Sequence, residues 1–170
     1  MVFGGRSELS SGEKFDMQPA PERIDRLADR VARLVALRHT PIAERKVAIV
    51  LFNFPPNSGA AGTAAHLSVF ESLFNTLSAM REEGYHVDLP DSHAELRDAI
   101  LKGNAKQFGA EANVFQRVTV DDHVRAEPWL AEIEAQWGPA PGKEWTDGQH
   151  LFVLGESFGN VLVGIQPPMG

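Results

Sequence analysis

The chain has 170 residues, enough to bury one hydrophobic core, with no cysteine and a formal net charge of −7. The lack of cysteine excludes disulfides and thiolate metal sites, and it fits the cytoplasm, where we expect the protein. Acidic residues outnumber basic ones by 16 to 7 in residues 47–170, which argues against nucleic-acid binding. No run of 18 apolar residues occurs, so we expect no transmembrane segment.

The first 41 residues divide into two parts. Residues 1–18 are polar and rich in glycine and serine, and we predict a flexible terminus there. Residues 19–41 contain an amphipathic helix, predicted over 21–37, and Pro41 closes the segment. The arginines on its polar side alternate with acidic residues, which indicates a solvated face rather than a phosphate-binding surface.

Residues 46–85 form the central unit of the sequence. Residues 47–52 are apolar throughout, which is typical of a buried strand in a parallel sheet. Pro55-Pro56 ends that strand, and Thr63 is predicted to cap the helix that follows. The apolar face of this helix is expected to comprise Leu67, Phe70, Leu73, Phe74, Leu77 and Met80.

The remaining chain alternates helical and strand patterns. We predict a short strand at 87–89, helices over 92–102 and 128–137, and a C-terminal hairpin of strands 151–154 and 161–165. Trp129, Ile133 and Trp137 share one helical face and are expected to pack into the core. Residues 42–170 are therefore predicted to be an α/β domain, with strand-loop-helix units around a small, mainly parallel sheet.

The stretch that begins at Asn53, N-F-P-P-N-x-G-x-x-G-T-A-A-x-L-x-V-F-x-S-L, resembles the porphyrin-binding H subunit of magnesium chelatase. That family is related to the large subunit of cobaltochelatase. Residues 2–6, 109–124, 128–142 and 151–167 agree as well, so the resemblance covers nearly the whole chain. Proteins of this family are several-fold longer, so the resemblance implies a fragment whose α/β domain is incomplete at its C-terminus and which is expected to be inactive alone.

The resemblance implies a function and a set of partners. The whole protein would bind protoporphyrin IX and receive Mg²⁺ as the substrate ion, in chlorophyll or bacteriochlorophyll biosynthesis. AAA+ ATPase and integrin-like subunits would hydrolyse ATP, and the remainder of the H subunit would complete the site. Gly59-x-x-Gly62-Thr63 lacks the spacing and the lysine of a P-loop, so this chain is not expected to bind ATP.

The loop between the first strand and the central helix is the main candidate for porphyrin binding, because α/β sheets place ligands there. Free N–H groups at the start of a helix would also favour a propionate. The candidate residues of the loop and of the C-terminal block are Asn53, Pro55, Asn57, Gly59, Gly62, Thr63, His66, Asn160 and Gln166. No residue is assigned a catalytic or metal-ligating role.

Two alternatives stay open from the sequence. The chain could be a non-catalytic module that binds a tetrapyrrole or docks a subunit, and Trp129 and Trp137 could then stack on a porphyrin. It could also be a cobaltochelatase-type subunit. That branch has N-Y-P where this chain has Asn53-Phe54-Pro55-Pro56, and it lacks the T-A-A-x-L run, so it is the less favoured.

Overall fold

The computed structural model describes the backbone of residues 4–7 and 16–19 and the full structure of residues 20–53 and 68–167. The chain divides into two compact units, Met1–Pro41 and Ile42–Gly170. In the first unit, strand β1 (Gly4–Ser7) pairs antiparallel with β2 (Asp16–Pro19). Both strands overlap the stretch for which a flexible terminus is predicted.

The first helix, α1, spans Pro21–His39, two residues longer than predicted. Pro21 opens it, as the fixed φ of proline permits in a first turn. At its end the hydroxyl of Thr40 donates a 2.9 Å hydrogen bond to the carbonyl oxygen of Ala36. No residue of α1 is buried within the described part of the chain. Its apolar stripe is therefore an exposed surface.

The second unit contains a four-stranded sheet in the order β3-β6-β5-β4. These strands are β3 (Val47–Leu51), β4 (Val114–Thr119), β5 (His150–Phe158) and β6 (Val161–Ile165). Strand β3 pairs parallel with β6, whereas the β6–β5 and β5–β4 ladders are antiparallel. The α/β class and the C-terminal hairpin are confirmed, but the expectation of mainly parallel pairing is wrong.

The connection between β5 and β6 explains the antiparallel pairing. Phe158 pairs with Val161, so only Gly159 and Asn160 form the turn, and so short a turn joins antiparallel strands. Because β5 alone is reversed, β3, β6 and β4 all run in one direction. Their carboxyl ends therefore meet at one end of the sheet, which we call the carboxyl end.

The helices of the second unit are α2 (Val69–Glu82), α3 (His93–Leu101), α4 (Ala105–Phe108), α5 (Val120–Ala126) and α6 (Leu130–Trp137). Helices α2 and α3 contribute buried leucines and isoleucine to a core against one face of the sheet. That core includes Leu73, Leu77, Leu96, Ile100, Leu154, Val161 and Val163. The other face carries the alternate residues, of which Val50 is 65% exposed. Strand β3 is thus an edge strand of the described sheet and is buried on one face only, so the expectation of a buried strand is wrong.

Local capping accounts for two helix starts. The Ser92 hydroxyl accepts a 3.2 Å hydrogen bond from the N–H of Glu95, as in a capping box. The Thr119 hydroxyl likewise accepts from the N–H of Asp122 at 3.0 Å. The central helix α2 begins only at Val69, after Ser68. The predicted cap Thr63 lies outside the described residues.

Three further expectations are corrected. Residues 87–89 form no strand, although Val87 is buried in the core. The last helix begins at Leu130 rather than at position 128, because Trp129 has a non-helical ψ of 16°. Trp129, Ile133 and Trp137 are 55%, 39% and 69% exposed, so they do not pack into the core as predicted. They share a helical face, but that face is turned to solvent.

Candidate functional site

Two of the predicted site residues lie together at the carboxyl end of the sheet. Asn53 follows β3, and Gln166 follows β6. The two strands are neighbours, and the N–H of Gln166 donates a 2.9 Å hydrogen bond to the carbonyl oxygen of Leu51. This bond extends the parallel ladder by one residue beyond β6 and places Gln166 next to the chain that leads into Asn53.

Of these two residues, Asn53 has the more unusual side-chain environment. Its side chain is 4% exposed, and its Oδ1 atom is fully buried with no hydrogen-bond partner in the described part of the chain. Leaving such a group unpaired costs about 1–3 kcal/mol. Residues held at that cost often contact a ligand or a moving segment, because their missing partner comes from there. An amide oxygen can accept a hydrogen bond or coordinate a hard cation.

Six of the predicted residues cannot be placed. Pro55, Asn57, Gly59, Gly62, Thr63 and His66 all fall between the two described ranges 16–53 and 68–167. Asn53 is the last described residue before these six, and Ser68 is the first described residue after them. The role of the loop residues therefore stays a prediction.

Asn160 lies at the other end of the sheet, before β6 rather than after it. Its N–H donates to the carbonyl oxygen of His86 at 2.9 Å, and its Nδ2 donates to that of Ala43 at the same distance. Its own carbonyl oxygen accepts from the N–H of Val47 at 3.0 Å. These bonds tie the hairpin turn to the chain after α2, to the segment before β3 and to the first residue of β3. The structure thus separates Asn160 from Asn53 and Gln166.

A charged cluster that the sequence did not predict lies where β4 and β5 pair at the carboxyl end. Nη2 of Arg117, on β4, donates to Oδ2 of Asp147 at 3.0 Å and lies 2.7 Å from Nδ1 of His150. The guanidinium also covers the ring of Phe108, 5.2 Å from its centroid. Sequence reasoning missed this cluster because Arg117 is 30 residues from Asp147. The only local signal was the turn sequence T-D-G-Q-H, which places Asp147 close to His150.

The turn before β5 fixes Asp147. Its Oδ1 accepts hydrogen bonds from the N–H groups of Gln149 and His150, at 2.9 and 2.8 Å. These hydrogen bonds, that of Gln149 foremost, lower the pKa of Asp147 from 3.8 to about 2. The carboxylate is therefore ionised at neutral pH, and a short turn rather than a long side chain sets its position.

Glu71 and Glu156, two carboxylates that could in principle act as acid–base groups, are placed differently. Glu71 is exposed on α2. Glu156 is half-buried on β5, where its Oε2 accepts from Nδ2 of Asn113 at 2.9 Å and its Oε1 from the N–H of Ser157 at 2.7 Å. Asn113 is itself buried and also donates to the carbonyl oxygen of Gly155 at 2.7 Å. Glu156 is thus held within a hydrogen-bond network that organises β4 and β5.

The described residues contain no cluster of three or more His, Asp or Glu side chains arranged to hold a metal ion. None of the helices within the described ranges is both long and apolar enough to cross a membrane.

Comparison with known proteins gives one consistent family. The family model described as CobN/Magnesium Chelatase matches residues 1–170. The chain is 48% identical to the magnesium-chelatase H subunit of Cereibacter sphaeroides, covering 99% of this chain and 15% of that protein. It is 54% identical to the corresponding protein of Rhodobacter capsulatus, covering 93% of this chain and 13% of that protein.

A solved structure agrees with the fold. The catalytic subunit of cobaltochelatase from Mycobacterium tuberculosis matches with a TM-score of 0.70 and 28% identity, over 98% of this chain and 14% of that chain. The chain thus spans about one seventh of the length of the relatives that it matches.

Proposed function

Since the chain belongs to the CobN/magnesium chelatase family, we propose that it forms part of the porphyrin-binding surface of a magnesium chelatase of the H type. In this proposal protoporphyrin IX and Mg²⁺ are the substrates, and partner ATPase subunits drive insertion of the ion. The proposal favours magnesium over cobalt chelation because identity to the two magnesium-chelatase proteins is 48% and 54%, against 33% to the cobaltochelatase subunit CobN of Pseudomonas aeruginosa and 28% to the cobaltochelatase subunit of known structure.

The observation that carries the proposal is the unpaired Oδ1 of Asn53 at the carboxyl end of β3. Ligands of open α/β sheets bind beyond the carboxyl ends of the strands. A tetrapyrrole free base has pyrrole N–H donors at its centre, and an amide oxygen is a suitable acceptor for one of them. Asn53 would thus orient the ring and, once a pyrrole nitrogen has lost its proton, would offer an oxygen to the incoming Mg²⁺.

The neighbouring groups have supporting roles in this proposal. The backbone bond from Gln166 to Leu51 holds the end of β3 in place, and the amide of Gln166 supplies a second polar group beside Asn53. Removal of the two pyrrole protons needs a base, and no described residue is assigned that task. We place the base, the ATP-binding sites and the remaining walls of the site outside this chain's described residues.

The proposal is tested by titrating the 170-residue chain with deuteroporphyrin IX, a water-soluble relative of the substrate, while following porphyrin absorbance. Saturable binding is expected, and Asn53→Ala should weaken it roughly fivefold to tenfold, since a buried hydrogen bond contributes about 1–1.5 kcal/mol. Asn75→Ala is the matched control, because Asn75 is exposed on α2. No saturable binding by a chain with a cooperative unfolding transition would refute the proposal for this chain.

A second candidate is a docking function without porphyrin contact. Val50 on β3 and Phe52 just after it are exposed, as are Trp137 on α6 and Trp129 just before it. This exposure favours a docking function, since large exposed apolar groups often mark protein contacts. If docking is the function, Asn53→Ala has no effect on porphyrin titrations, and a polar substitution such as Val50→Thr instead weakens assembly with the partner subunits.

A further inference from the structure

Arg117 is held from three sides, by groups on three different segments. Its Nη2 bonds to Asp147 in the turn before β5 and lies 2.7 Å from Nδ1 of His150, which accepts in the neutral tautomer that carries its proton on Nε2. Its guanidinium carbon lies 5.2 Å from the ring centroid of Phe108 on α4. That ring packs in turn against Phe152, with the centroids 5.9 Å apart. The guanidinium is therefore pre-oriented, and its position is coupled to the core.

These contacts leave much of the guanidinium unused. Every hydrogen bond of Arg117 to another described residue involves Nη2, so the N–H groups on Nε and Nη1 have no acceptor there. The side chain is 39% exposed, so a ligand can reach those groups. A guanidinium presents its donors in a planar fork that matches the two oxygens of a carboxylate. The cluster is thus suited to a carboxylate arriving from solvent.

Arg117 and Asn53 lie towards the same end of the sheet. Leu51 pairs with Ile165 at the carboxyl ends of β3 and β6, and Asn53 is two residues past Leu51. Arg117 pairs with Phe152 near the carboxyl end of β4. Strands β3 and β4 are three strand spacings apart in the order β3-β6-β5-β4, or about 14 Å.

The two positions also share a face. Asn53 has the same parity as Leu51, which is buried in the core, and Arg117 is opposite the core residue Phe152. Both thus belong to the face that α2, α3 and α4 cover. A ligand that lies across the carboxyl end of the sheet, with an acceptor-seeking centre and carboxylates on its rim, could contact both residues, and a porphyrin with propionates has that form.

We propose that Arg117 binds a carboxylate of the tetrapyrrole substrate and so fixes how the ring is turned over Asn53. This inference rests on the proposed function and adds a specificity-determining residue to it. Asp147 and His150 act as positioning residues for Arg117. The negative charge of Asp147 reduces the attraction for a second carboxylate, so we expect a roughly tenfold contribution to affinity, at the lower end for a charge-assisted hydrogen bond.

The test compares deuteroporphyrin IX with its dimethyl ester, which keeps the ring but removes both negative charges. Wild-type chain should bind the diacid roughly tenfold more tightly than the diester. Arg117→Gln should lose that preference by weakening diacid binding alone, and Arg117→Lys should restore part of it. Arg125→Gln is the control, since Arg125 is 77% exposed on α5 in an ordinary i,i+3 ion pair with Asp122.

The outcomes separate this inference from the proposed function. Equal affinity of the wild-type chain for both porphyrins would overturn the carboxylate contact and leave porphyrin binding intact. A fall in the affinity of Arg117→Gln for both ligands alike would overturn it too, because such a change indicates a structural role. Absence of binding to either porphyrin would refute both proposals. If Arg117→Gln does not fold, the wild-type preference between diacid and diester still decides the question.

Discussion

The N–H of Gln166 donates a hydrogen bond to the carbonyl oxygen of Leu51, and this 2.9 Å bond fixes the carboxyl end of the parallel strand pair. Two residues beyond Leu51, Asn53 is buried, and its amide oxygen has no hydrogen-bond partner among the residues that the structure describes. A regular parallel ladder thus leads directly into a residue whose environment is unfavourable, because a buried oxygen without a hydrogen bond costs free energy. Such a combination is expected where a rigid scaffold presents a polar group to a ligand.

Replacing Asn53 by Leu should separate stability from binding. The substitution removes the unpaired buried oxygen, so the free energy of unfolding should stay unchanged or rise by about 1 kcal/mol. Affinity for deuteroporphyrin IX should fall roughly fivefold to tenfold. Urea unfolding and porphyrin titration measure the two quantities. A loss of stability would mean that Oδ1 has a structural partner in the folded chain.

Asn160→Ala should have the opposite effect. It removes the hydrogen bond from Nδ2 to the carbonyl oxygen of Ala43 and should lower the free energy of unfolding by about 1 kcal/mol. Affinity for the porphyrin should stay within about twofold, because the residue lies at the far end of β6 from Gln166. A large loss of affinity in a stably folded variant would return Asn160 to the site.

Gly103→Ala should be strongly destabilising. Gly103 has a φ of +27°, and a β-carbon there would overlap the side chain of Asn113. Asn113 bonds to Glu156 and Gly155, so its displacement breaks a buried network, and we expect a cost of about 2–4 kcal/mol.

Gly109→Ala is the matched control for that substitution. Its φ is +62°, but a β-carbon there meets no atom within 4 Å. Only the backbone strain should then apply, at about 1–2 kcal/mol. Equal costs for the two variants, measured by urea unfolding, would show that Asn113 moves aside freely.

The hydrogen bonds that the carboxylate of Asp147 accepts, that of the Gln149 N–H foremost, should contribute to stability in a defined pH window. Because its pKa is lowered from 3.8 to about 2, the native state holds the ionised form more strongly than the unfolded state does. The contribution is complete above about pH 5 and is lost as the pH falls from about 4 to 2. The difference in urea midpoint between wild type and Asp147→Asn should shrink over that range.

Asp121→Asn provides the comparison for the pH experiment. Asp121 is exposed on α5 and forms no ion pair with another residue of the described ranges. Its substitution should leave the acid dependence of stability close to that of the wild type. A difference for Asp147→Asn that stayed constant down to about pH 2 would contradict the assigned cause.

Trp137→Ala should change the free energy of unfolding by no more than about 0.5 kcal/mol, since the side chain is 69% exposed. Phe152→Ala should cost about 3–5 kcal/mol, since that ring is buried in the core. Thermal or urea unfolding compares the two. A cost of several kcal/mol for Trp137→Ala would restore the packing role that its helical spacing predicts.

Local patterns in the sequence determined much of this structure. The apolar run of β3, the capping residues Ser92 and Thr119 and the two strands of the hairpin could be predicted, because each depends on neighbours within a few positions. The motif that begins at Asn53 identified the family by itself. These features are set by backbone propensity, side-chain capping and the chemistry of short turns.

Only the tertiary structure decided which of these elements meet. Strand β3 pairs with β6 more than 100 residues later, and that pairing sets Asn53 beside Gln166 while removing Asn160 from the site. The cluster of Arg117, Asp147 and His150 depends on the register of β4 against β5. The exposure of Trp129 and Trp137 could not be predicted from the sequence either, since helical periodicity shows which residues share a face but not whether another layer covers that face.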